Sequence, residues 1–320
     1  MKACIDVGGT KVSVSLVAAG GDGLPSADAF LACRAEATAK TGAPDALAQQ
    51  ILRLVADACA EIGTPLDALA AVGVASCGPF VMRDGLIELC APNICGGVAG
   101  PARGLPNDWT RALLEAPLRA VWGDRLRLEN DGIAALQAER RWGALQGLDH
   151  CGYLTWSTGI GFGLCVDGRV LRGKNGNAGH AGHMLVSDSD DPLALCGCGN
   201  LGDVEGLVAG NAIARRFAPR GFADAAALLA AAHVGDSAAL VLVDGLCRVM
   251  GRALYNLAVT LDLQRVSMGG SVFWHHQGLL LPRLQAQITG RMAALTDGLE
   301  LVPAGLGERV GDFAALALIS

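Results

Sequence analysis

Apolar and polar positions change period several times along the chain, and each change marks an element. Residues 2–7 (KACIDV) form a short apolar run, two glycines follow, and VSVSLV at 12–17 alternates strictly. Alternation on either side of a glycine turn predicts a β-hairpin. Residues 29–36 predict a third strand. In PDALAQQILRLVADACAEIG (44–63) the apolar residues recur three and four apart behind a proline, an amphipathic helix. LAAVGVA (69–75) is a continuous apolar run, a buried strand that leads into the turn Ser76-Cys77-Gly78-Pro79. A helix is expected near 107–116, then a strand at RLRLEN (125–130) and a helix at GIAALQAERRWGA.

The second half repeats the opening layout. CGYLTWSTGIGFGLCVDGRVLRG (151–173) is again strand, glycine turn, strand. Helices are expected at 203–216, 222–232 and 236–261. LQRVSMGGSVF (263–273) predicts a strand and a third glycine turn. A helix at 277–293, a strand near 299–302 and a last helix, GDFAALALIS, finish the chain. No segment has linker composition.

Composition narrows the function classes. The 320 residues are 52% hydrophobic and 18% charged, which describes a folded globular chain. A net charge of −6 argues against nucleic acid as the main partner, since phosphate backbones select basic faces. Glycines stand where a signal peptide would need an apolar core, and no stretch reaches membrane-spanning length, so the expected location is cytoplasmic with no membrane partner. Eleven cysteines are mostly scattered among apolar neighbours, as reduced buried thiols are.

Chemistry concentrates in a few stretches. Asp6 closes the first strand ahead of Gly8, Gly9, Thr10 and Lys11, a composition suited to phosphates: glycines expose backbone N–H groups, the hydroxyl adds a donor and the carboxylate can hold Mg²⁺. A tight hairpin turn has the same composition. Gly78 lies at a strand's carboxyl end, where α/β sheets favour ligand loops. Asn93, in APNI, can offer an amide to a polar ligand or simply form a turn after proline. Asp131 sits where a strand gives way to a helix, as an N-cap or as an exposed general base. Residues 175–205 are the densest: His180 and His183 are three apart, Cys196 and Cys198 two apart, and Asp203 and Glu205 follow. His183 and the two thiolates, with one more ligand, could hold tetrahedral zinc; ordinary thiols in a glycine-rich loop are the alternative.

Together these pieces resemble the ROK family of sugar kinases and sugar-responsive repressors, over nearly the whole length and in family order. DVGGTK (6–11) resembles its first phosphate loop, STGIG (157–161) the second, LEND (128–131) its sugar-and-base motif, and MGGSV (268–272) its adenosine-side turn. NAGHAGH (177–183) with CGCGNLGDVE (196–205) resembles the family signature. The resemblance implies a two-domain actin-like α/β fold with a cleft: a smaller domain of residues 1–117 plus 306–320, and a larger one of 118–305. It implies transfer of the γ-phosphoryl of ATP to a sugar hydroxyl, usually at C6, with Asp131 as base and Asn130 bonding the sugar. Asp6, Thr10 and Thr158 would position Mg²⁺ and phosphates, and Gly159, Gly269, Gly270 and Ser271 would line the nucleotide. His183 and Glu205 would face the sugar. A sugar-responsive regulator or a catalytically silent sugar binder are the alternatives. Family members are commonly dimers or tetramers.

Two departures stand out. Most members of the family it resembles have Glu where this chain has His180; a histidine there is similar to N-acetylmannosamine kinases, and it implies altered selectivity near C2 of the sugar. Asp203 replaces the third zinc cysteine, so the expected ligand set is His183, Cys196, Cys198 and Asp203, with weaker affinity than a third thiolate gives.

Overall fold

The computed structural model describes residues 1–18, 23, 26–99 and 104–320. They divide into two compact units: Met1–Ala138 with Arg172–Ala178 and Arg309–Ser320, and Glu139–Leu171 with Gly179–Glu308.

In the first unit, β1 (Lys2–Val7) and β2 (Lys11–Val17) form the expected hairpin, and β3 (Phe30–Ala37) adds to it antiparallel. Helix α1 (Ala46–Glu61) buries Leu47, Ile51, Leu54 and Val55, the stripe that its spacing set out. β4 (Ala71–Ser76) then pairs parallel with β1. A hairpin of β5 (Phe80–Arg83) and β6 (Leu86–Leu89) follows, then the short α2 (Gly96–Ala99) and β7 (Ala112–Leu113), which pairs with β6. Helix α3 (Glu115–Trp122), β8 (Leu126–Asn130) and α4 (Asp131–Trp142) complete it. The main sheet runs β3-β2-β1-β4-β8.

The second unit repeats this topology. β9 (Cys151–Trp156) and β10 (Ile160–Val166) are its hairpin, and β11 (Arg169–Val170) its outer strand. Helices α5 (Val204–Val208), α6 (Gly210–Phe217), α7 (Ala225–His233) and α8 (Ser237–Leu261) lead to β12 (Arg265–Gly269), which pairs parallel with β9. After α9 (Ser271–Trp274), α10 (Gln277–Ile288) and α11 (Ala293–Thr296), β13 (Glu300–Pro303) pairs parallel with β12. The sheet order is β11-β10-β9-β12-β13, again two antiparallel pairings followed by two parallel ones. The chain's two glycine-turn hairpins therefore occupy equivalent places in two equivalent sheets. Helix α12 (Val310–Ala317) returns to the first unit, where Ala315 O would lie 2.1 Å from a Cβ on Gly73 of β4.

Three expectations need correction. The helix near 107–116 is instead a strand, β7, and a helix that starts at Glu115. Residues 107–109 lie against Gly96 and Gly97, whose added Cβ atoms would meet Asn107 O at 1.9 Å and Asp108 O at 2.3 Å, and they are neither helix nor strand. The helix over 203–216 breaks at Ala209, because Gly210 N leaves the helical ladder to donate to Ser157 O at 2.8 Å. The boundary after 117 also moves. β8 is hydrogen-bonded to β4 in the first sheet, so residues 118–138, Asp131 included, belong to the first unit. Among the described residues no single helix is long and apolar enough to cross a membrane.

Candidate active site

In the first unit, Gly8 N donates to Lys11 O at 2.8 Å and closes the turn between β1 and β2. Thr38, just past β3, ties that turn down: its Oγ1 donates to Gly8 O at 2.7 Å and its N–H to Thr10 O at 3.1 Å. Thr10 and Lys11 project outward and are exposed. Asp6 lies one residue before the end of β1. Burial, then the nearby Asp131 carboxylate, push its pKa up to about 7, against the pull of Lys11. Such a carboxylate is half-protonated near neutrality unless a cation joins it.

Asn93 sits on this turn. A Cβ on Gly9 would fall 1.9 Å from Asn93 Nδ2 and 2.5 Å from its Cγ, so the amide lies directly against the glycine's Cα. The loop that carries Asn93 is held by Asn107, which sequence reasoning passed over. Its Oδ1 accepts from Gly96 N at 2.8 Å and Trp109 N at 3.0 Å, and its Nδ2 donates to Lys40 O and Ile94 O, both at 2.9 Å. One amide thus fastens the Asn93 loop to Lys40, two residues beyond Thr38.

Gly78 begins the turn into β5 through a cis peptide to Pro79. Asn177 pins this turn by accepting from Phe80 N and donating to Phe80 O, each at 2.7 Å. Asn130 is buried, with Nδ2 directed to Ser76 O at 3.4 Å and Oδ1 accepting from Gly132 N at 3.0 Å. Asp131 opens α4, its Oδ1 accepting from Gly132 N at 2.8 Å. Arg172 Nε meets Glu129 Oε1 at 2.5 Å and anchors the end of β8 from outside.

In the second unit, Thr158 and Gly159 form the turn between β9 and β10, closed by Ser157 N donating to Gly159 O at 3.0 Å. The turn at Gly269–Ser271 packs beside it. Ser157 Oγ and Ser271 Oγ are 3.1 Å apart, and Gly270, at φ +87°, lies so close to the Trp156 backbone that a Cβ would come within 2.5 Å of its carbonyl. Glu205 reaches the same turn from α5: Oε2 accepts from Ile160 N at 3.0 Å and would lie 2.9 Å from a Cβ on Gly159.

His183, Cys196, Cys198 and Asp203 come together, with one ligand atom of each within 4.8 Å of the others. His183 Nδ1 is 3.2 Å from Asp203 Oδ2 and 3.6 Å from Cys196 Sγ, and Cys198 Sγ is 3.2 Å from Asp203 Oδ2. Ligands placed 2.0–2.3 Å from a tetrahedral zinc stand roughly 3.3–3.8 Å apart, so the residues present fit that ion. Asp203 is fully buried and serves twice, because its other oxygen, Oδ1, caps α5 by accepting from Gly206 N at 2.7 Å. Burial pushes the Asp203 carboxyl up, yet hydrogen bonds from His183, Gly206 and the two thiols outweigh it and leave its pKa below the usual value. The bond to Asp203 raises the His183 pKa against the effect of burial, and burial raises both thiols. Metal entry would therefore displace protons from this cluster. A single helical turn at Ala181–His183 sets the His180 and His183 rings 6.2 Å apart.

The predicted site residues thus fall into two sets. Asp6, Gly8–Lys11, Gly78, Asn93, Asn130 and Asp131 lie in the first unit; Thr158, Gly159, His180, His183, the thiol pair, Asp203, Glu205 and Gly269–Ser271 lie in the second. Asn107, Asn177 and Thr38 were missed. Asn177 stood within a quoted motif, but Asn107 and Thr38 carry no local signal.

Comparison with known proteins agrees with the geometry. The ROK family model matches residues 2–320. The chain is 34% identical over 278 residues to an N-acetylmannosamine kinase of Escherichia coli O157:H7, covering 84% of this chain and 82% of that one. It is 29% identical over 265 residues to a glucokinase of Aeropyrum pernix, covering 77% and 78%. The crystal structure of the ROK hexokinase from Thermus thermophilus superposes with a TM-score of 0.73 at 30% identity, over 99% of this chain and 97% of that one. The fold is accordingly the actin-like α/β fold of ROK sugar kinases. With the match spanning nearly every residue, the chain belongs to the ROK family.

Proposed function

We propose that the protein is an ATP-dependent kinase of a hexose or N-acylhexosamine, transferring the γ-phosphoryl group to the sugar 6-hydroxyl. The observation that carries this reading is the proximity of Asp131 to Asp6. Asp131 follows Asn130, which pairs with Ser76 across β8 and β4, and Ser76 pairs in turn with Val7 across β4 and β1, so both carboxylates stand at the same end of one sheet. Asp131 accepts the proton of the attacking hydroxyl, and Asn130 fixes the backbone that presents it. The turns at Gly8–Lys11 and Thr158–Gly159 offer N–H and hydroxyl donors to the phosphates. Mg²⁺ bound with ATP would neutralise charge on the transferred group, with Asp6 and Thr10 as its protein partners. Zinc at His183, Cys196, Cys198 and Asp203 would stiffen the loop that presents His183 and Glu205, a structural role.

Transfer of a phosphoryl group calls for positioning and charge neutralisation, which glycine turns supply better than a nucleophilic side chain. The relatives act, by their names, on glucose and on N-acetylmannosamine. His180 favours a sugar with altered chemistry at C2, because imidazole donates where a carboxylate accepts only. ADP release measured over glucose, mannose, N-acetylmannosamine, N-acetylglucosamine and fructose tests the reading. Sugar-dependent turnover supports it; ADP release that ignores every sugar overturns it.

A further inference from the structure

Asn93, a candidate ligand amide, and Glu205, expected at the sugar, each touch a turn expected to hold phosphate, one inside each unit. In the first, the Asn93 amide occupies the space a Gly9 side chain would need, with Nδ2 1.9 Å from the position of the missing Cβ. In the second, Glu205 Oε2 lies 2.9 Å from the missing Cβ of Gly159 and accepts the next backbone N–H, that of Ile160, at 3.0 Å. The nearest atoms to the Gly9 position are all from Asn93, and those to the Gly159 position are all from Glu205. Neither glycine has positive φ. The side chain resting on each glycine, rather than backbone conformation, is what a Cβ there would displace.

From these contacts we infer that Asn93 and Glu205 are coupling residues, through which a sugar hydroxyl and the nucleotide phosphates set each other's binding geometry. The inference rests on the kinase reading and goes beyond it. An amide or carboxylate that bonds a sugar hydroxyl is held in one rotamer, and that rotamer fixes the surface of the glycine turn beneath it. A turn without its overlying side chain can sample other backbone conformations, and each one it samples weakens phosphate binding. The frame around Asn93 is stiff enough to transmit this, because Asn107 fastens its loop at Ile94, Gly96 and Lys40, while Thr38 holds the turn at Gly8 and Thr10. Asn93 itself is exposed, and so is available to a ligand. The two ligands therefore bind with positive coupling that is carried partly within a single unit.

The test measures AMP-PNP affinity by calorimetry, with and without a saturating concentration of the sugar that the turnover panel selects. The wild type is expected to bind AMP-PNP about fivefold tighter or more with sugar present. Asn93→Ala is expected to bring that ratio to within about twofold of unity, and Asn93→Asp, of equal size but without the donor, to lower it. Gly9→Ala is expected to weaken AMP-PNP about tenfold, and Gly9→Ala with Asn93→Ala to recover to the affinity of Asn93→Ala alone, since the second change vacates the space the methyl needs but leaves the turn without its overlying amide. Recovery in the double variant also shows that the single one failed through this contact and not through general misfolding. An unchanged sugar effect in Asn93→Ala, or a double variant no better than Gly9→Ala, overturns the inference while sugar-dependent turnover by the wild type leaves the kinase reading standing. A wild type that binds neither ligand overturns both.

Discussion

Glu205 Oε2 accepts the backbone N–H of Ile160 at 3.0 Å, which bonds the acid at the start of α5 into the turn between β9 and β10. The same carboxylate stands 3.6 Å from Cys196 Sγ through Oε1. One side chain therefore joins the thiol cluster to the turn proposed to hold phosphate. Glu205→Ala strands a backbone donor and opens the space over Gly159. KM for ATP and for sugar are both expected to rise about tenfold or more, and Glu205→Gln, which retains an acceptor, should lose less. A change confined to the sugar KM would show that the bond to Ile160 does not serve the nucleotide.

The candidate metal cluster gives a separable prediction, because Asp203 uses one oxygen as a helix cap and turns the other to His183 and Cys198, where a metal would bind. Asp203→Asn keeps the cap and removes the charge. Zinc affinity, measured by competition with a chelating dye, is expected to fall at least about tenfold, and the metal-free protein to lose about 1–3 kcal/mol with the bonds that His183 and Cys198 make to the charged Oδ2. Asp203→Ala removes both functions and should cost a further ~0.5–2 kcal/mol in metal-free stability. Equal zinc affinity in wild type and Asp203→Asn would remove Asp203 from the ligand set.

Asp6 predicts a pH dependence. Its folded pKa, about 7, lies above the ordinary 3.8, so the folded chain holds a proton that the unfolded chain releases. The stability this contributes is fully present below pH 3.8 and is lost as pH rises through about 7. Urea unfolding without Mg²⁺ should show stability falling between pH 5 and 7.5, by about 1–3 kcal/mol. Asp6→Asn should flatten that slope. An identical slope in the variant would place the responsible group elsewhere.

Glu139 marks a structural weak point. This buried carboxylate accepts from Ala144 N, Gly305 N, Leu306 N and Ser267 Oγ at 2.8–2.9 Å. Glu139→Ala leaves those donors without an acceptor in the interior and should destabilise the second unit by about 3–5 kcal/mol. Chemical unfolding measures this directly, and a loss under 1 kcal/mol would contradict it.

Much of the fold was legible because its signals are local. The β1–β2 and β9–β10 hairpins announce themselves by alternation around glycines, and α1 by its apolar stripe. The hairpin of β5 and β6 was equally legible and was overlooked: Asp84 and Gly85 both have positive φ, the residues such a two-residue turn asks for. The path of 107–113 was not legible, since the Asn107 amide that fastens its start bonds to Lys40 and Ile94, both distant in sequence. For the same reason the contacts of Asn93 with Gly9 and of Glu205 with Gly159 could not be read from the motifs that contain them. A motif names residues for a ligand and is silent on what they touch when packed. The candidate metal cluster was legible in part: residue types pointed to His183, Cys196 and Cys198 with one ligand open, the family resemblance supplied Asp203, and these four converge.

The proposed role of His180 in the choice of sugar is open to a direct test. Replacing it by the carboxylate usual in the family changes a donor–acceptor into an acceptor alone. His180→Glu is expected to move the ratio of kcat/KM for N-acetylmannosamine over glucose towards glucose by about tenfold or more. An unchanged ratio would show that this position does not set selectivity.

The most direct test compares ADP production by the wild type and by Asp131→Asn, with ATP, Mg²⁺ and the preferred sugar. Asn keeps the size and the bond to Gly132 N but cannot take the hydroxyl proton. The expected result is sugar-dependent turnover in the wild type and a loss of about 10²–10⁴ in kcat in the variant, with the sugar KM changed no more than a few-fold. Full activity in Asp131→Asn, or ADP release by the wild type that does not depend on sugar, would contradict the account.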